Sequence, residues 1–487
     1  MHLISWKKLG NYSRSEIEKL QNNRLEYMVK HKFPYSKFYR NLFKKSRLSF
    51  DDIKTTEDLQ KLPFTNKTDI APTIENPDKP RQFILSPTKE LLKKYESKSK
   101  LISIVLGNIF QKNKTKENLE LEYKPIHFHF TTGRTALPTS FSYTYYDLQR
   151  LIESGKRLFD TFGVRRNDVA LNAFPYAPHL AFWQTYYAAY NLNIMTLHSG
   201  GGKVLGTKKI ILALESLKAT LGIFMPGYAY HVIRQAVEQK KDFSSLKKLI
   251  FGGERIPQGM LDKTKNLLAK VGAKDVEILS TYAMTEGKVA WPQCCEGSDY
   301  HLYPDMEFIE IIDEEGNRVK EGERGEIVYS GLDFRGSVVL RYRTGDITDG
   351  LYYHKCPHCN RTVPRINANI QRKSDIKEFK FQKVKGELVN LNLLFGLLSG
   401  NMQVEEWQIE VRKVNDDPFE LDELIIHIAS KDKTNTKELI DSVSKDIKAE
   451  LGITAKINIT TLKNILEKLK FETKVKESRI VDNRPKQ

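Results

Sequence analysis

Short apolar runs alternate with stretches of helical spacing from residue 126 onward, and this alternation restricts the fold more than any other feature of the sequence. The strand-like runs are VALNAFPY, LNIMTLH, TLGIFMPGY, KKLIFGGE and VEILSTYAM. Neighbouring stretches, among them residues 143–162, 207–218 and 257–271, carry apolar residues at helical spacing. Strands that alternate with helices form βα units around a parallel sheet. The pattern therefore predicts an α/β fold of mostly parallel sheets with flanking helices.

The pattern changes twice more along the chain. In residues 305–345, the runs MEFIEIID, GEIVYSG and SVVLRYR are joined by polar turns, which is typical of a small antiparallel sheet or distorted β-barrel. Beyond RKSD, strand-like runs and one helical stretch indicate a small α+β unit. We therefore predict a large N-terminal domain over residues 1–372 and a small C-terminal domain over residues 373–487. Residues 75–125 are Lys-rich and poorly periodic, so we expect an irregular excursion there.

The chain is strongly basic, with a formal net charge of +17 over 487 residues. Clustered cations would favour nucleic acid, but the lysines are spread along the whole chain and no RRM, KH, zinc-finger or basic-zipper pattern is present. We therefore expect no nucleic-acid partner and a surface that suits an anionic cofactor. No apolar run reaches the roughly 18 residues of a membrane span, and the N-terminal stretch lacks the apolar region of a signal peptide. These features favour the cytoplasm and no membrane partner.

The chain has four cysteines, and all of them lie between residues 294 and 359. A secreted disulfide scaffold of this length would carry more cysteines, spread more widely. Three thiolates and an imidazole complete a tetrahedral structural zinc site. The predicted ligands are Cys295, His301, Cys356 and Cys359. Cys294 is the alternative to Cys295, and His354 or His358 is the alternative to His301; four reduced thiols without a metal are the other interpretation.

A stretch rich in Thr and Gly, HFTTGRTALPTSFSYT, follows a strand-like run. Thr131, Thr132 and Thr135 offer hydroxyls, and Gly133 lets the backbone approach a ligand. Backbone N–H groups in such a loop can cradle phosphate oxygens. A turn without a ligand is the alternative for this stretch taken alone.

Two further polar stretches, FGGERI and STYAMTEG, end predicted strands. Open α/β sheets bind ligands at the carboxyl ends of their parallel strands. Glu254, Tyr282, Thr285 and Glu286 therefore share one geometric rationale. Each of them alone also fits a buried aromatic or a surface carboxylate, so the argument depends on their joint occurrence.

Taken in order, the motifs TTGRTALPT, FGGERI, TYAMTEG, GEIVYSG, LRYRTGD, RTVPRI and QRKSD resemble those of the adenylate-forming enzymes. The chain is similar to the phenylacetate–CoA ligase-like branch, which includes coenzyme F390 synthetase-like and capsule-biosynthesis-type proteins. The resemblance implies that ATP activates an aryl or acyl carboxylic acid as an acyl-adenylate, with release of pyrophosphate. Coenzyme A then accepts the acyl group, as in an acid–thiol ligase. The resemblance also implies that the small C-terminal domain is mobile.

Two other functions stay open. The segment after RKSD contains no glycine before Gly386, whereas the family usually has a glycine turn there that lines the thiol tunnel. An amine, a hydroxyl or a protein is therefore the alternative acyl acceptor. A catalytically weak, basic binding protein that keeps the fold is the third possibility, and a homodimer is left open.

The resemblance assigns roles to residues that match the family's motifs. The phosphate loop corresponds to Thr131, Thr132, Gly133, Arg134 and Thr135. The other expected nucleotide contacts are Gly253 and Glu254 beside adenine, Tyr282 stacked on it, Thr285 at the α-phosphate, Asp346 at the ribose, and Arg361 or Arg365 as the nearby cation. Glu286 would hold Mg²⁺, a cation that prefers carboxylate oxygen. Lys476 would enter the site during adenylation, with Lys474 as the alternative register.

The acid pocket is also assigned by family position. Its expected lining residues are Phe174, Tyr176, His179, Gly201, Gly202, Tyr228 and Tyr230. An aromatic lining suits an aryl or medium-length acyl group, although the same residues also fit an ordinary core.

Overall fold

The computed structural model describes residues 2–110, 112–131, 138–373, 376–382, 385–417, 420–431, 434–470 and 477–484. The chain divides into two compact units, each assembled from segments that are distant in sequence. Unit 1 comprises Met1–Asn167, Ala177–Met195 and Leu279–Ile370. Unit 2 comprises Asp168–Tyr176, Thr196–Ile278 and Gln371–Gln487.

The α-helices are numbered here in chain order. They are α1 (Trp6–Leu9), α2 (Arg14–His31), α3 (Lys37–Lys45), α4 (Lys67–Ile70), α5 (Lys89–Tyr95), α6 (Lys98–Phe110), α7 (Lys112–Tyr123), α8 (Tyr145–Thr161), α9 (Leu180–Leu192), α10 (Gly202–Leu205), α11 (Thr207–Ser216), α12 (Pro226–Glu238), α13 (Gln258–Lys270), α14 (Leu391–Gly400), α15 (Thr436–Leu451) and α16 (Leu462–Leu469).

The β-strands follow the same convention. They are β1 (Pro125–Phe130), β2 (Ser140–Thr144), β3 (Val169–Asn172), β4 (Met195–His198), β5 (Leu221–Phe224), β6 (Lys248–Gly252), β7 (Glu277–Met284), β8 (Val289–Pro292), β9 (Tyr300–His301), β10 (Glu307–Ile312), β11 (Gly325–Gly331), β12 (Tyr342–Thr348), β13 (Leu351–Tyr352), β14 (Arg365–Ile366), β15 (Gln371–Arg372), β16 (Ile376–Gln382), β17 (Lys385–Asn390), β18 (Val404–Lys413), β19 (Asp422–Ser430), β20 (Lys456–Ile459) and β21 (Ile480–Asp482).

The predicted parallel strands form a sheet in unit 2, in the order β4-β3-β5-β6. β3 pairs with β5, and β5 pairs with β6, both in parallel. All four residues of β5 are buried, as expected for a strand covered on both faces. The helices predicted beside these strands are present as α8, α11 and α13. The predicted α/β organisation is therefore confirmed.

Unit 1 contains antiparallel pairs. β7 and β8 form a hairpin in which Tyr282 lies opposite Trp291. β10 pairs with β11, and β11 pairs with β12, both antiparallel, so the prediction for residues 305–345 is confirmed at the level of the sheet. A second small sheet has the order β13-β14-β9.

The third strand predicted in this region has the wrong bounds. β12 begins at Tyr342, whereas the apolar run predicted a strand from Ser337. The backbone of Ser337 instead donates a hydrogen bond to Ser142 O at 2.9 Å, away from β11. Arg341 then adopts a left-handed φ of 51°, which interrupts the extended chain just before β12 begins.

Residues 75–125 do not form the irregular excursion that the sequence predicts, because they contain the helices α5, α6 and α7. Thr88 caps α5 by accepting a hydrogen bond from Leu91 N–H at 3.3 Å. Gly107 of α6 lies against Thr115 of α7, since a Cβ atom added at Gly107 would be only 2.3 Å from Thr115 Oγ1. Several apolar side chains of α6 are exposed. Apolar residues therefore do not mark a single buried face of α6, and the helical spacing is hard to recognise in the sequence.

The last part of unit 2 is a small α+β arrangement, as predicted. β18 pairs antiparallel with β19, while β20 and β21 add parallel strands at the two edges. Buried Leu439, Val443 and Ile447 of α15 pack in the same apolar core as these strands. None of the helices in the described part of the chain combines the length and apolar character needed to span a bilayer.

Candidate nucleotide site and metal-ligand cluster

Tyr282 and Asp346 are hydrogen-bonded to each other, although they are distant in sequence. The Tyr282 hydroxyl donates to Asp346 Oδ2 at 2.7 Å. Tyr282 comes from β7 and Asp346 from β12, whose Gly345 adopts a φ of 73° that favours glycine. The Thr344 hydroxyl accepts a hydrogen bond from Asp346 N–H at 3.0 Å, which fixes the turn that carries the carboxylate. An aromatic ring and a carboxylate that the sequence assigned to one nucleotide therefore lie together.

Thr285 and Glu286 follow β7 directly and are both half-buried. The Tyr342 hydroxyl donates to Glu286 Oε1 at 3.3 Å, so the first residue of β12 orients this carboxylate. Tyr342 is itself buried. Glu286 and Asp346, the acidic residues assigned to magnesium and ribose, are thus both positioned by β7 and β12.

Lys288 anchors the turn that carries Glu286. Its ammonium group is buried and donates to Asp147 Oδ2 at 2.9 Å and to Ser142 O at 2.8 Å. Burial lowers the pKa of the Lys288 ammonium, and the adjacent Asp147 carboxylate opposes this change. Asp147 also accepts backbone N–H groups of Arg335 and Gly336, each at 2.7 Å. The sequence did not single out this ion pair, because Lys288 is one of many lysines in the chain and no motif distinguishes it.

Only the first residue of the predicted phosphate loop is described. Thr131 N–H donates to Thr139 O at 3.0 Å, where the chain returns toward β2. Thr132, Gly133, Arg134 and Thr135 lie outside the described residues, as do Lys474 and Lys476.

Three imidazoles lie on or against β1, the strand that leads to Thr131. His127 Nε2 and His129 Nε2 are 2.9 Å apart, and His129 Nδ1 lies 2.9 Å from the Tyr143 hydroxyl. Burial lowers the pKa of His129 to about 3, with smaller contributions from nearby cationic groups, so this ring is neutral at pH 7. His179 Nδ1 lies 2.9 Å from Phe130 O of β1, and its role in the acid pocket stays a prediction.

The two arginines predicted as nucleotide cations make local structural contacts. Arg361 Nη2 donates to Asp160 Oδ2 at 2.8 Å. Arg365 is 1% exposed and donates to His354 O at 2.6 Å, with Asp299 Oδ2 at 3.5 Å. Arg365 is thus enclosed by these contacts, and its role beside a nucleotide stays a prediction.

Gly253 and Glu254 come at the end of β6, in unit 2. Gly253 adopts a φ of 85°, which favours glycine and turns the chain away from the strand. Glu254 is half-buried at this turn. Both residues thus lie at the carboxyl end of a parallel strand, as the sequence predicted.

The residues of unit 2 predicted for the acid pocket lie at the carboxyl ends of β3, β4 and β5. Gly202 is required there, since an added Cβ would be 2.6 Å from the Tyr228 hydroxyl, which also lies 3.1 Å from Thr207 Oγ1. Gly201 packs close to Ala173 O, Phe174 and Tyr230 are buried, and Tyr176 is exposed.

Asn172 and His198 form a polar pair at the same strand ends, and sequence reasoning missed them. Asn172 Nδ2 lies 3.1 Å from His198 Nδ1, and Asn172 Oδ1 accepts the Phe174 N–H at 3.1 Å. Each is the last residue of its strand, which was the available signal.

Four side chains form a metal-ligand cluster in unit 1. The cluster is Cys294, His301, Cys356 and Cys359, whose ligand atoms all lie within 4.8 Å of one another. Cys294 Sγ lies 3.7 Å from Cys356 Sγ, and Cys359 Sγ lies 3.2 Å from His301 Nε2. The cluster thus contains Cys294, the alternative thiol, in place of Cys295, and the identity of the metal-binding thiol stays a prediction.

The donor set suits a structural zinc ion, because zinc binds thiolate sulfur and imidazole nitrogen in tetrahedral sites. His301 is held by pairing of β9 with β14, and its Nδ1 lies 3.4 Å from Pro292 O. This contact directs Nε2 toward the three sulfurs, because a carbonyl at one ring nitrogen fixes the orientation of the other.

Comparison with known proteins gives matches over most of the chain. A sequence model of the AMP-binding enzyme family matches residues 51–338. The phenylacetate-coenzyme A ligase of Aromatoleum evansii is 24% identical over 98% of this chain and 96% of its own length. That of Pseudomonas putida is 22% identical over 90% of this chain and 89% of its own length. The solved structure of 2-hydroxyisobutyryl-CoA ligase in the postadenylation state, in complex with 2-HIB-AMP, is 21% identical with a TM-score of 0.76, covering 98% of this chain and 92% of that one. This likeness supports the predicted fold.

Proposed function

The chain belongs to the AMP-binding enzyme family, and from this premise we propose that it activates a carboxylic acid with ATP and transfers the acyl group to coenzyme A. The hydrogen bond between Tyr282 and Asp346 carries the proposal. Tyr282 offers a ring on which adenine stacks, and Asp346 offers oxygens that accept hydrogen bonds from the ribose hydroxyls. The relatives named phenylacetate-coenzyme A ligase support the acid and the thiol acceptor.

The reaction proceeds in two displacement steps. A carboxylate oxygen of the acid attacks the α-phosphorus of ATP, forms the acyl-adenylate, and breaks the bond to the β-phosphate so that pyrophosphate leaves. The thiolate of coenzyme A, after its proton is lost to solvent, then attacks the acyl carbon and displaces AMP. Both steps depend mainly on positioning and on stabilising negative charge.

Residues after β7 serve the first of these steps. Thr285 contributes a hydroxyl at the α-phosphate, and Glu286 contributes a carboxylate that the Tyr342 hydroxyl already orients. Mg²⁺, when bound, would offset phosphate charge during displacement, and a half-buried carboxylate suits this hard cation. Gly253 and Glu254 are proposed for the adenine side, in line with their motif.

The acid itself is proposed to be an aryl or small acyl carboxylate. Phe174 and Tyr228 supply aromatic surface, while Asn172 and His198 supply polar groups at the same strand ends of unit 2. The relatives act on phenylacetate and the structural neighbour binds 2-HIB-AMP, so both acid types belong in a first test. The division at residue 372, a mobile C-terminal domain and the cytoplasm stay predictions.

ATP–pyrophosphate exchange tests the proposal directly. Exchange should depend on an acid from a panel of arylacetates, benzoates and short hydroxy acids, and the same acid with coenzyme A should yield a thioester and AMP. Exchange without a thioester would favour the amine, hydroxyl or protein acceptor, which the missing glycine after RKSD also suggests. If wild-type protein shows neither exchange nor ATP binding, the proposed activity is wrong and a non-catalytic binding protein is favoured.

We further propose that Cys294, His301, Cys356 and Cys359 bind one structural zinc ion. Four protein ligands leave no open coordination position, so the metal would supply no chemistry. Its ligands come from two segments, 294–301 and 356–359, and zinc would fasten the second segment, which follows Asp346 in sequence, to the first.

Purified protein is therefore expected to contain about one zinc ion per chain. Cys294→Ser should lose most of the zinc and lower the melting temperature, because the site would lose one of four ligands. Cys295→Ser is the matched control, since the adjacent thiol lies outside the cluster, and should keep its zinc. Elemental analysis and calorimetry measure both effects. Zinc that survives Cys294→Ser but not Cys295→Ser would restore the ligand that the sequence predicted.

A further inference from the structure

Trp291 lies behind the ring of Tyr282. The two residues face each other across the β7–β8 hairpin, and their ring centroids are 5.3 Å apart at an interplanar angle of 31°. Trp291 is completely buried, and its ring centroid is also 6.3 Å from that of Tyr329. The Tyr282 ring is thus supported from one side by Trp291 and held at its hydroxyl by Asp346.

Glu307, the first residue of β10, holds Trp291. Glu307 is 1% exposed, and its Oε1 accepts hydrogen bonds from the Trp291 indole N–H and from Tyr303 N–H, the latter at 2.8 Å. A buried indole N–H needs such an acceptor, because no water replaces it. Gln21 Nε2 in turn donates to Glu307 O at 3.0 Å, which fixes the backbone of this residue.

The carboxyl group of Glu307 is unusual for a position this deep in the core. Its Oε2 finds no hydrogen-bond partner among the described residues. Burial raises the pKa of Glu307 to about 8, so the side chain is mostly protonated and neutral at pH 7. An apolar residue would fill the same space without this cost, but it would offer the Trp291 indole N–H no acceptor.

We propose that Glu307 is a positioning residue for nucleotide binding, which fixes Trp291 and, through it, the ring of Tyr282. This inference rests on the proposed function, in which adenine stacks on Tyr282. Glu307 and the base would lie at opposite ends of one series of contacts. Glu307 binds the indole of Trp291, the indole packs against the ring of Tyr282, and this ring stacks on the base. A ring held in this way loses less freedom when the base binds, so affinity is gained by preorganisation.

The closing experiment compares Glu307→Gln with Glu307→Leu. Gln keeps an acceptor oxygen and, like the protonated acid, is neutral, so its ATP dissociation constant should stay within about twofold of wild type. Leu leaves the indole N–H unpaired and frees Trp291, so the dissociation constant should rise about 3–10-fold, the range given by one aromatic contact. Titration calorimetry with ATP measures affinity, and urea unfolding confirms that only folded protein is compared.

Trp291→Phe supplies an independent variant, which has no indole N–H to anchor. It should weaken ATP binding to a similar degree, and adding Glu307→Leu to it should have no further effect on ATP affinity. A purely structural role for Glu307 predicts lower stability in Glu307→Leu with unchanged ATP affinity, which would overturn the inference alone. Wild-type protein that binds no ATP would overturn the proposed function and this inference together.

Discussion

Lys476→Ala is expected to lower the rate of ATP–pyrophosphate exchange by roughly 10²–10³-fold while leaving ATP binding nearly unchanged. An ammonium group at this position would offset charge on the attacking carboxylate and the α-phosphate only as they approach each other. Such an interaction is made in the transition state rather than in the ATP complex, so its loss lowers the rate and leaves the affinity for ATP nearly unchanged. Calorimetry with ATP and exchange kinetics measure the two quantities separately.

Two controls sharpen this result. Lys474→Ala removes the same charge two residues away and tests the register directly. Thioester formation from a chemically prepared acyl-adenylate bypasses the first step, so Lys476→Ala should leave that half-reaction close to wild type. The described chain resumes at Glu477, which accepts a hydrogen bond from Arg479, and Arg479 Nη1 donates to Glu406 Oε2 at 2.8 Å. Unchanged exchange in Lys476→Ala with a large loss in Lys474→Ala would move the role to Lys474.

The fold could be predicted because its signals are local. Strand-length apolar runs such as those of β3, β5 and β6 report burial on both faces, and stretches of helical spacing alternate with such runs. A shared nucleotide site for Tyr282 and Asp346 could be predicted only through the ordered motifs, because no local pattern joins a strand ending near residue 284 to one beginning at residue 342. Motif order thus supplied the long-range contact that periodicity cannot supply.

The differences between the sequence predictions and the structure have another physical cause, since each depends on how side chains are oriented and covered. Cys294 and Cys295 are adjacent, and spacing alone cannot decide which of two neighbouring thiols faces His301. Arg365 carries the charge that a nucleotide site needs, yet its neighbours His354 and Asp299 enclose it. In α6, exposed apolar residues hide the helical period. The direction of a side chain and its burial are set by tertiary packing. The spacing of residues in a single sequence does not show either of them.

Lys288→Met is expected to lower the free energy of unfolding by about 3–5 kcal/mol, the range for breaking a buried ion pair by removing one partner. Methionine fills a similar volume, so the cost comes from the charge that remains. Asp147 would keep its hydrogen bonds from Arg335 and Gly336 but would lose its only described cation, whose Nζ lies 2.9 Å away. Urea unfolding followed by circular dichroism and tryptophan fluorescence measures the change.

The surface pair Lys30–Asp51 provides the matched control. Its N···O distance of 2.6 Å is even shorter, but its side chains are 46% and 66% exposed, so Lys30→Met should lower the free energy of unfolding far less than Lys288→Met. Combining Lys288→Met with Asp147→Asn removes the uncompensated charge and should recover part of the stability lost by Lys288→Met alone. If Lys288→Met were no more costly than Lys30→Met, the ammonium could not be the counter-charge of Asp147, and the turn bearing Glu286 would have to be held by its backbone alone.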